Sequence, residues 1–375
     1  MSVSAAERLD DLALLEKADP GGLLRQVASS AAQVRTSARV AAEADLGRVI
    51  DGGRPRAIVV TGMGGSGIAG DVLAAVCGQG CPSHVATVHD YQLPGWVGAA
   101  DLVIAVSCSG ATEETLSAAA DAVRRGCPLV GVGGADSPLS ALAEQASAPF
   151  VAVQSAGMPR STLWGLSVPL LVIAERLGVA EIPAEGYESA AAELERVSHL
   201  CRPDSESFVN PAKTLALDLG GTLPMIWGSS QLAGVAAYRF ACQLNENAKY
   251  PGLPGVLPEA NHNQVVAFDG PFAAWPSGGM LTVDSDPRPA TPLRLVMLRD
   301  TQEHPQVARR REASVELAEQ RGIEVSQLAA QGERPLDRLA SLVQLIDFAT
   351  VYLGIAIGVD PGPIAAIQDL KERIA

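Results

Sequence analysis

Four side chains suited to proton transfer, Glu246, Lys249, Glu259 and His262, lie within seventeen residues of one another in the second half of the chain. The surrounding segment, QLNENAKYPGLPGVLPEANHN, also contains three prolines and two glycines, which predicts a helix end near Lys249 followed by a rigid loop. A carboxylate and an imidazole on a stiff loop are what general acid–base catalysis requires. The local sequence alone leaves open a polar surface loop without chemistry.

A glycine-rich turn follows the first strongly apolar run of the chain. Residues 57–71 read AIVVTGMGGSGIAGD, and this order predicts a strand, a turn around Gly65 and Ser66, and the start of a helix. Glycines let the backbone approach a ligand closely, and the N–H groups at a helix start attract anions. A purely structural tight turn is the alternative.

A second turn of the same kind carries hydroxyl groups. In residues 107–115, SCSGATEET, the side chains of Ser107, Ser109 and Thr112 lie between an apolar run and an alanine-rich helix. Hydroxyls and backbone N–H groups bind phosphate without lysine, so two such turns favour a shared anion pocket. Thr112 also suits a helix N-cap, and capping alone remains an alternative.

Arg160 is a further candidate for contact with an anion. It lies in the segment MPRST, where Pro159 holds it just before a predicted helix. An arginine at such a point would bind a phosphate or stabilise a developing oxyanion. A solvated surface arginine is the alternative.

The elements that must position these side chains alternate in type between residues 57 and 177. The predicted strands are 57–61, 84–88, 102–106, 128–132 and 150–153. The predicted helices are 68–77, 112–125, 138–146 and 162–177. Such alternation predicts a parallel sheet covered by helices on both faces, with ligands bound beyond the carboxyl ends of its strands.

The pattern repeats in the second half. Residues 223–240, LPMIWGSSQLAGVAAYRF, again give an apolar run, a small-residue turn and a helix, and the run 293–298 predicts the next strand. The fold class is therefore α/β, with two doubly wound parallel-sheet lobes in three layers. The second turn has less glycine, which indicates a copy that no longer binds. The predicted domains are N-terminal helices 1–50, a first lobe 51–180, a helical connector 181–210 and a second lobe 211–375, with a long surface loop at 269–292.

Charge and composition exclude several classes of binding partner. The chain has 42 acidic and 28 basic residues and a net charge of −14, which repels nucleic acid and anionic membranes, so neither is an expected partner. The acidic N-terminus lacks the basic start of a signal peptide, and a cytoplasmic protein is expected. Six scattered cysteines and five histidines without zinc-type spacing predict free thiols, no metal and no cofactor.

The motifs, taken in order, resemble those of the bifunctional phosphoglucose/phosphomannose isomerases, which are built from two sugar-isomerase (SIS) domains. GMGGSGIAGD at 62–71 and SCSGATEET at 107–115 resemble the phosphate loops of that family. NENAK at 245–249 and ANHN at 260–263 resemble its catalytic segment, and VDPGPIAAIQDLK at 359–371 resembles its closing helix. The matches span nearly the whole chain.

This resemblance implies an aldose–ketose isomerase that interconverts glucose 6-phosphate or mannose 6-phosphate with fructose 6-phosphate through a cis-enediol. It implies phosphate contacts from Gly65, Ser66, Ser107, Ser109 and Thr112. Glu246 is then the base, and Arg160 stabilises the enediolate. His262, reaching in from the second subunit of a homodimer, and Lys371 assist ring opening.

The serine loop departs from the family at two positions. Ala111 stands where asparagine is common, and Cys108 where an aromatic residue is common. Both changes spare the hydroxyls and the acid–base pair, and they leave the choice between hexose phosphates open.

Two other classes of function share parts of this pattern. A non-catalytic phosphosugar sensor, or another SIS-domain phosphosugar enzyme, would use the same loops, but a sensor needs neither Glu246 nor His262. A nucleotide-binding oxidoreductase would use a similar glycine turn with an acidic residue after the next strand, and His89-Asp90 is the segment that fits this requirement weakly.

Overall fold

The computed structural model describes residues 4–154, 157–273 and 291–374. The chain divides into two compact units. We call Ala28–Glu195 with Glu333–Asp337 lobe I, and Met1–Val27, Arg196–Gly332 and Arg338–Ala375 lobe II. Each contains one parallel sheet, so the predicted α/β fold with two parallel-sheet lobes is confirmed.

The described N-terminal residues are helical, as predicted, and form five short helices. They are α1 (Ala5–Asp10), α2 (Leu12–Ala18), α3 (Leu23–Ala28), α4 (Ser30–Glu43) and α5 (Gly47–Ile50). Asp11 separates the first two, because its carboxylate accepts the N–H groups of Ala13 and Leu14 and caps α2. The carboxylate of Asp19 does the same for the start of α3.

Lobe I contains a five-stranded parallel sheet in the order β2-β1-β3-β4-β5. Its strands are β1 (Ala57–Thr61), β2 (His84–Val88), β3 (Leu102–Ser107), β4 (Leu129–Gly133) and β5 (Phe150–Ala152). Its connecting helices are α6 (Ile68–Cys77), α7 (Glu113–Arg124), α8 (Pro138–Gln145) and α9 (Leu163–Arg176). The predicted bounds of all nine elements are correct to within one residue at either end.

The strand order determines where the loops of lobe I meet. Strands β1, β3 and β4 are apolar and buried throughout, as expected for central parallel strands with helices on both faces. From β1 the chain passes to β2 on one side, and it then crosses back to β3 on the other side of β1. Ligands of such sheets bind at this reversal, beyond the carboxyl ends of β1 and β3. The glycine turn and the serine turn follow these two strands.

The remaining elements run from residue 184 to the end of the described chain. They are α10 (Ala184–Leu200), α11 (Pro211–Leu219), β6 (Leu223–Gly228), α12 (Gln231–Gln243), β7 (Leu253–Val256), β8 (Leu293–Arg299), α13 (Pro305–Gln320), β9 (Glu324–Ala329), α14 (Pro335–Ala356) and α15 (Ala365–Ile374). The sheet of lobe II has the parallel order β7-β6-β8-β9. The loop predicted for 269–292 lies mostly outside the described residues, because residues 274–290 are not among them.

Helix α14 is the one described helix that is long and apolar enough to cross a membrane by length and composition. Of its most apolar stretch of 18 residues, 94% is buried inside the structure. Burial of this extent is that of a core helix, and α14 supplies much of the core of lobe II.

Candidate functional site

The glycine turn of lobe I has the shape that the sequence predicts. After β1 the backbone enters the left-handed region at Gly64, with φ of 53°, and residues Gly64–Ser66 form a 3₁₀ turn before α6. A Cβ at Gly67 would lie 2.7 Å from the Gly62 carbonyl oxygen, so this bend requires glycine. The turn therefore delivers backbone N–H groups at the start of α6, the arrangement that binds anions.

The serine turn joins two of the predicted side chains by a hydrogen bond of its own. Ser107, at the end of β3, is 1% exposed, and its Oγ lies 2.9 Å from Thr112 Oγ1. Gly110 permits the bend with a φ of 64°. Thr112 occupies the N-cap of α7, but its side chain makes no capping hydrogen bond. Capping alone therefore does not explain Thr112.

The two turns are joined directly. Ser66 Oγ accepts the backbone N–H of Cys108 at 3.2 Å. On the solvent side, Ser109 is exposed and its Oγ accepts the N–H of Ala111 at 3.2 Å. The hydroxyls thus run from buried Ser107 to exposed Ser109, so the pair of turns is open at one edge to a ligand from solvent.

Arg160 belongs to the same cluster. It lies in the 3₁₀ turn Pro159–Ser161, and a Cβ built on Gly65 would lie 3.8 Å from Arg160 Cα and 3.9 Å from the Pro159 carbonyl oxygen. The residue is 5% exposed, which excludes the solvated surface position that the local sequence left open. Three separate turns of lobe I therefore converge at the carboxyl ends of β1 and β3.

His89 is a fourth contributor, and sequence reasoning did not assign it to this cluster. It follows β2, and its Nδ1 lies 2.8 Å from the Gly62 carbonyl oxygen. The neighbouring Asp90 carboxylate accepts the N–H of Tyr91 at 2.6 Å and so stabilises its own loop. The signal for His89 was its place one residue beyond β2, since the loops after adjacent parallel strands share an edge of the sheet.

The corresponding turn of lobe II is filled by the protein itself. After β6, Ser229 Oγ accepts the backbone N–H of Asp300 at 2.8 Å, and Ser230 Oγ donates to the Asp300 carboxylate at 2.8 Å. Arg338 Nε donates to the other carboxylate oxygen at 2.7 Å. Asp300 follows β8, so its carboxylate lies where the strand order of this sheet would put a ligand. This agrees with the expectation of a copy that no longer binds.

Glu246 lies on an unusual turn at the end of α12. The α-helix ends at Gln243 and continues as a π-helical turn, Leu244–Ala248, which is closed by Lys249 in the left-handed conformation with φ of 54°. The predicted helix end near Lys249 is confirmed. Single π turns within helices occur often at functional positions, since the inserted residue redirects a side chain. Glu246, which is half-buried, is part of this insertion.

The side chain of Lys249 links the π turn to the segment that contains Asp360. Its Nζ donates to the Glu246 carbonyl oxygen at 3.0 Å and to the Asp360 carbonyl oxygen at 2.8 Å. Beside the turn, burial raises the pKa of the Cys242 thiol, and the Glu246 carboxylate adds to that effect. Cys242 is therefore a protonated thiol at neutral pH next to the carboxylate.

His262 lies at the exposed end of the 3₁₀ turn Glu259–His262, after edge strand β7. The asparagines on either side hold this turn. Asn261 Nδ2 donates to Ser314 Oγ at 2.7 Å, and Asn263 Nδ2 donates to the Glu259 carboxylate at 3.0 Å. The imidazole is thus presented to solvent on a segment with fixed ends.

Lys371 lies on α15, which has no buried residue. Glu246, His262 and Lys371 therefore lie on three separate segments of lobe II, and the Lys249 side chain links the first of them to the chain at Asp360, just before α15 begins. The roles predicted for these three residues remain predictions.

No group of three or more His, Cys, Asp or Glu residues that would hold a metal ion is found among residues 4–154, 157–273 and 291–374. The six cysteines all carry free thiols. Burial raises the pKa of the Cys77 thiol to about 12, with a contribution from neighbouring Cys81, so this thiol is not ionised at neutral pH.

A family model and several known proteins are similar to this chain. Residues 208–374 match the model described as the bacterial phospho-glucose isomerase C-terminal SIS domain. A bifunctional phosphoglucose/phosphomannose isomerase of Caldicellulosiruptor bescii is 32% identical over 320 residues, which are 85% of this chain and 89% of that protein. A protein of the same name from Aquifex aeolicus is 29% identical over 322 residues, 85% of this chain and 90% of its own.

Among solved structures, a hypothetical protein of Thermus thermophilus has the same fold. It is 17% identical, with a TM-score of 0.70, and the match covers 99% of this chain and 94% of that one. At this identity the likeness concerns the fold, and it extends over both lobes.

Proposed function

Because the chain belongs to the family of the bifunctional phosphoglucose/phosphomannose isomerases, we propose that it is a phosphosugar isomerase that interconverts glucose 6-phosphate and mannose 6-phosphate with fructose 6-phosphate. The reaction moves one proton between carbons 1 and 2 through a cis-enediol and is redox-neutral. The substrate is a hexose carrying a phosphate monoester dianion.

The observation that supports this proposal most strongly is the convergence of three turns in lobe I, marked by the hydrogen bond from Cys108 N–H to Ser66 Oγ. Hydroxyls from both turns, the N–H groups at the start of α6 and a buried arginine are a binding set for a phosphate. The chain carries a net charge of −14, so an anionic substrate must be held by such local groups.

In the proposed mechanism the phosphate is held by Gly65 N–H and by the hydroxyls of Ser66, Ser107, Ser109 and Thr112. The phosphate lies at the far end of the sugar from the reacting carbons. The energy gained by binding it holds carbons 1 and 2 in a reactive position. His262 and Lys371 open the sugar ring. Glu246 then removes the proton from carbon 2 of the aldose and returns it to carbon 1, while Arg160 stabilises the negative charge on oxygen.

For mannose 6-phosphate, the same base serves if the open chain rotates about the bond between carbons 2 and 3. The enzyme is proposed to act as a homodimer in which His262 serves the active site of the other subunit.

The test is a side-by-side measurement on fructose 6-phosphate, glucose 6-phosphate, mannose 6-phosphate and glucosamine 6-phosphate. Coupled assays are expected to show formation of both glucose 6-phosphate and mannose 6-phosphate from fructose 6-phosphate, and no conversion of glucosamine 6-phosphate. Binding of fructose 6-phosphate without turnover would identify a sensor and contradict the proposal.

Removing two hydroxyls of the serine turn tests the phosphate contacts. Ser107→Ala combined with Ser109→Ala is expected to raise KM for fructose 6-phosphate at least about 100-fold, since each hydrogen bond to a charged group contributes roughly 1.5–3 kcal/mol. The matched control is Ser229→Ala with Ser230→Ala, in the turn that Asp300 fills. That control is expected to lower stability and leave KM unchanged. A wild-type KM in the Ser107/Ser109 double variant would show that the serine turn does not bind the phosphate.

A further inference from the structure

The π turn that carries Glu246 is held to helix α14 by a line of buried contacts. Arg239 and Gln243 lie one turn apart on one face of α12, and Asn247 lies in the π turn that follows. All three are at most 2% exposed. Each donates to α14, so the contacts run along the end of α12 and into the π turn that carries Glu246.

The first contact is an ion pair. Arg239 donates from Nε and Nη2 to the two carboxylate oxygens of Asp347, at 2.9 and 2.5 Å. Gln243 Nε2, one turn later, donates to the same carboxylate at 3.3 Å. A two-pronged guanidinium–carboxylate contact fixes orientation as well as distance, so it sets how α12 is rotated against α14.

The second contact lies within the π turn itself. Asn247, the residue after Glu246, is fully buried, and its Nδ2 donates to Thr350 Oγ1 at 2.9 Å. The Thr350 hydroxyl in turn donates to the Asp347 carbonyl oxygen at 2.9 Å. The side chain of Asn247 is therefore tied to α14 by a hydroxyl that is itself held in place.

The third feature is the absence of a side chain at Gly354, one turn beyond Thr350 on α14. A Cβ at this position would lie 2.8 Å from the Asn247 carbonyl oxygen and 3.5 Å from Ala248 Cα. Glycine within a helix lowers its stability, so its use here is explained by the close approach of the π turn.

We propose that Arg239, Asp347, Thr350 and Gly354 form a positioning clamp that fixes the Glu246 carboxylate, through Asn247, in the geometry required for proton transfer. Thr350 and Gly354 contact the turn, and the Arg239–Asp347 pair holds the helix that leads into it. None of the four is proposed to contact the substrate, so they are positioning residues. The inference rests on the proposed function, in which Glu246 is the base. A base displaced by even about 1 Å loses much of its effect, by up to about 100-fold in rate.

The test uses Thr350→Val, which keeps the shape of the side chain and removes the hydroxyl that holds Asn247. It is expected to lower kcat for fructose 6-phosphate about tenfold per folded site, with KM within about twofold, because the phosphate contacts lie in lobe I. Folded sites are counted by the stoichiometry of phosphosugar binding. Thr350→Ser, which restores the hydroxyl, is expected to restore kcat.

Two further variants separate positioning from stability. Ser341→Ala is matched to Thr350→Val, because Ser341 is also on α14, also buried, and its Oγ also donates three residues back and accepts one N–H. It is expected to lose stability and keep its kcat. Gly354→Ala places a Cβ 2.8 Å from the Asn247 carbonyl oxygen, so the π turn must shift, and this variant is expected to lower kcat.

The outcomes are distinguishable. Wild-type kcat in both Thr350→Val and Gly354→Ala would overturn the clamp, as would a Thr350→Ser variant as slow as Thr350→Val or a Ser341→Ala variant that is equally slow. Glu246→Gln is measured in parallel: if it stays fully active, the assignment of the base fails. If Glu246→Gln is inactive and both clamp variants are normal, only the clamp fails.

Discussion

Glu246→Gln is expected to lower kcat for fructose 6-phosphate about 10³-fold, within the range that one positioned general base contributes. The amide has nearly the same shape as the carboxylate, but it does not accept the proton from carbon 1 of fructose 6-phosphate. Equilibrium binding of fructose 6-phosphate is expected to remain near the wild-type value, because the phosphate contacts are made by other residues. Calorimetric titration and a coupled assay on the same preparation measure both quantities.

Glu259→Gln is the matched control for this change. It makes the same substitution in the other carboxylate of the acid–base segment, and an amide oxygen at this position still accepts the hydrogen bond from Asn263 Nδ2. This variant is expected to retain its kcat. Full activity in Glu246→Gln, or a loss of activity confined to Glu259→Gln, would assign the base to a different residue and leave only the phosphosugar binding of the proposal.

The first sheet was predictable from sequence because each of its elements carries a strong local signal. Strand β3 is a continuous apolar run, and α7 follows it after a turn rich in glycine and serine. In contrast, β7 and β9 were missed. Strand β7 has the sequence Leu-Pro-Gly-Val, whose proline and glycine both argue against a strand, and its place at the edge of the sheet tolerates them. Strand β9 is the opposite edge, and most of its side chains are only partly buried or exposed.

The environment of Glu246 was less accessible to sequence reasoning. The prolines and glycines of the segment predict a helix end near Lys249, but they do not reveal that the last turn is π-helical. The contacts that hold it come from α14, 103 residues away in the case of Asn247 and Thr350. Likewise, the filling of the second small-residue turn by Asp300 depends on the pairing of β6 with β8, which only the three-dimensional structure provides.

A second large effect is expected when two inactive variants share a dimer. His262→Asn alone is expected to lower kcat about 100-fold by removing a proton-transfer group, and Glu246→Gln alone lowers it further. If His262 of each subunit serves the other subunit's site, a heterodimer of the two variants contains one site with both Glu246 and His262 intact. Purified with two different affinity tags, it is expected to show about half of the wild-type kcat per dimer.

The reciprocal heterodimer makes this result decisive. It pairs a wild-type subunit with one carrying both Glu246→Gln and His262→Asn, so the two heterodimers contain the same set of four side chains in different arrangements. If His262 acts across the interface, neither site of this second dimer is complete and its activity is expected to be near that of the single variants. If His262 acts within its own subunit, the second dimer retains half of the activity and the first has almost none, which would refute the shared site. Because both heterodimers have the same composition, differences in stability or expression do not produce this reversal.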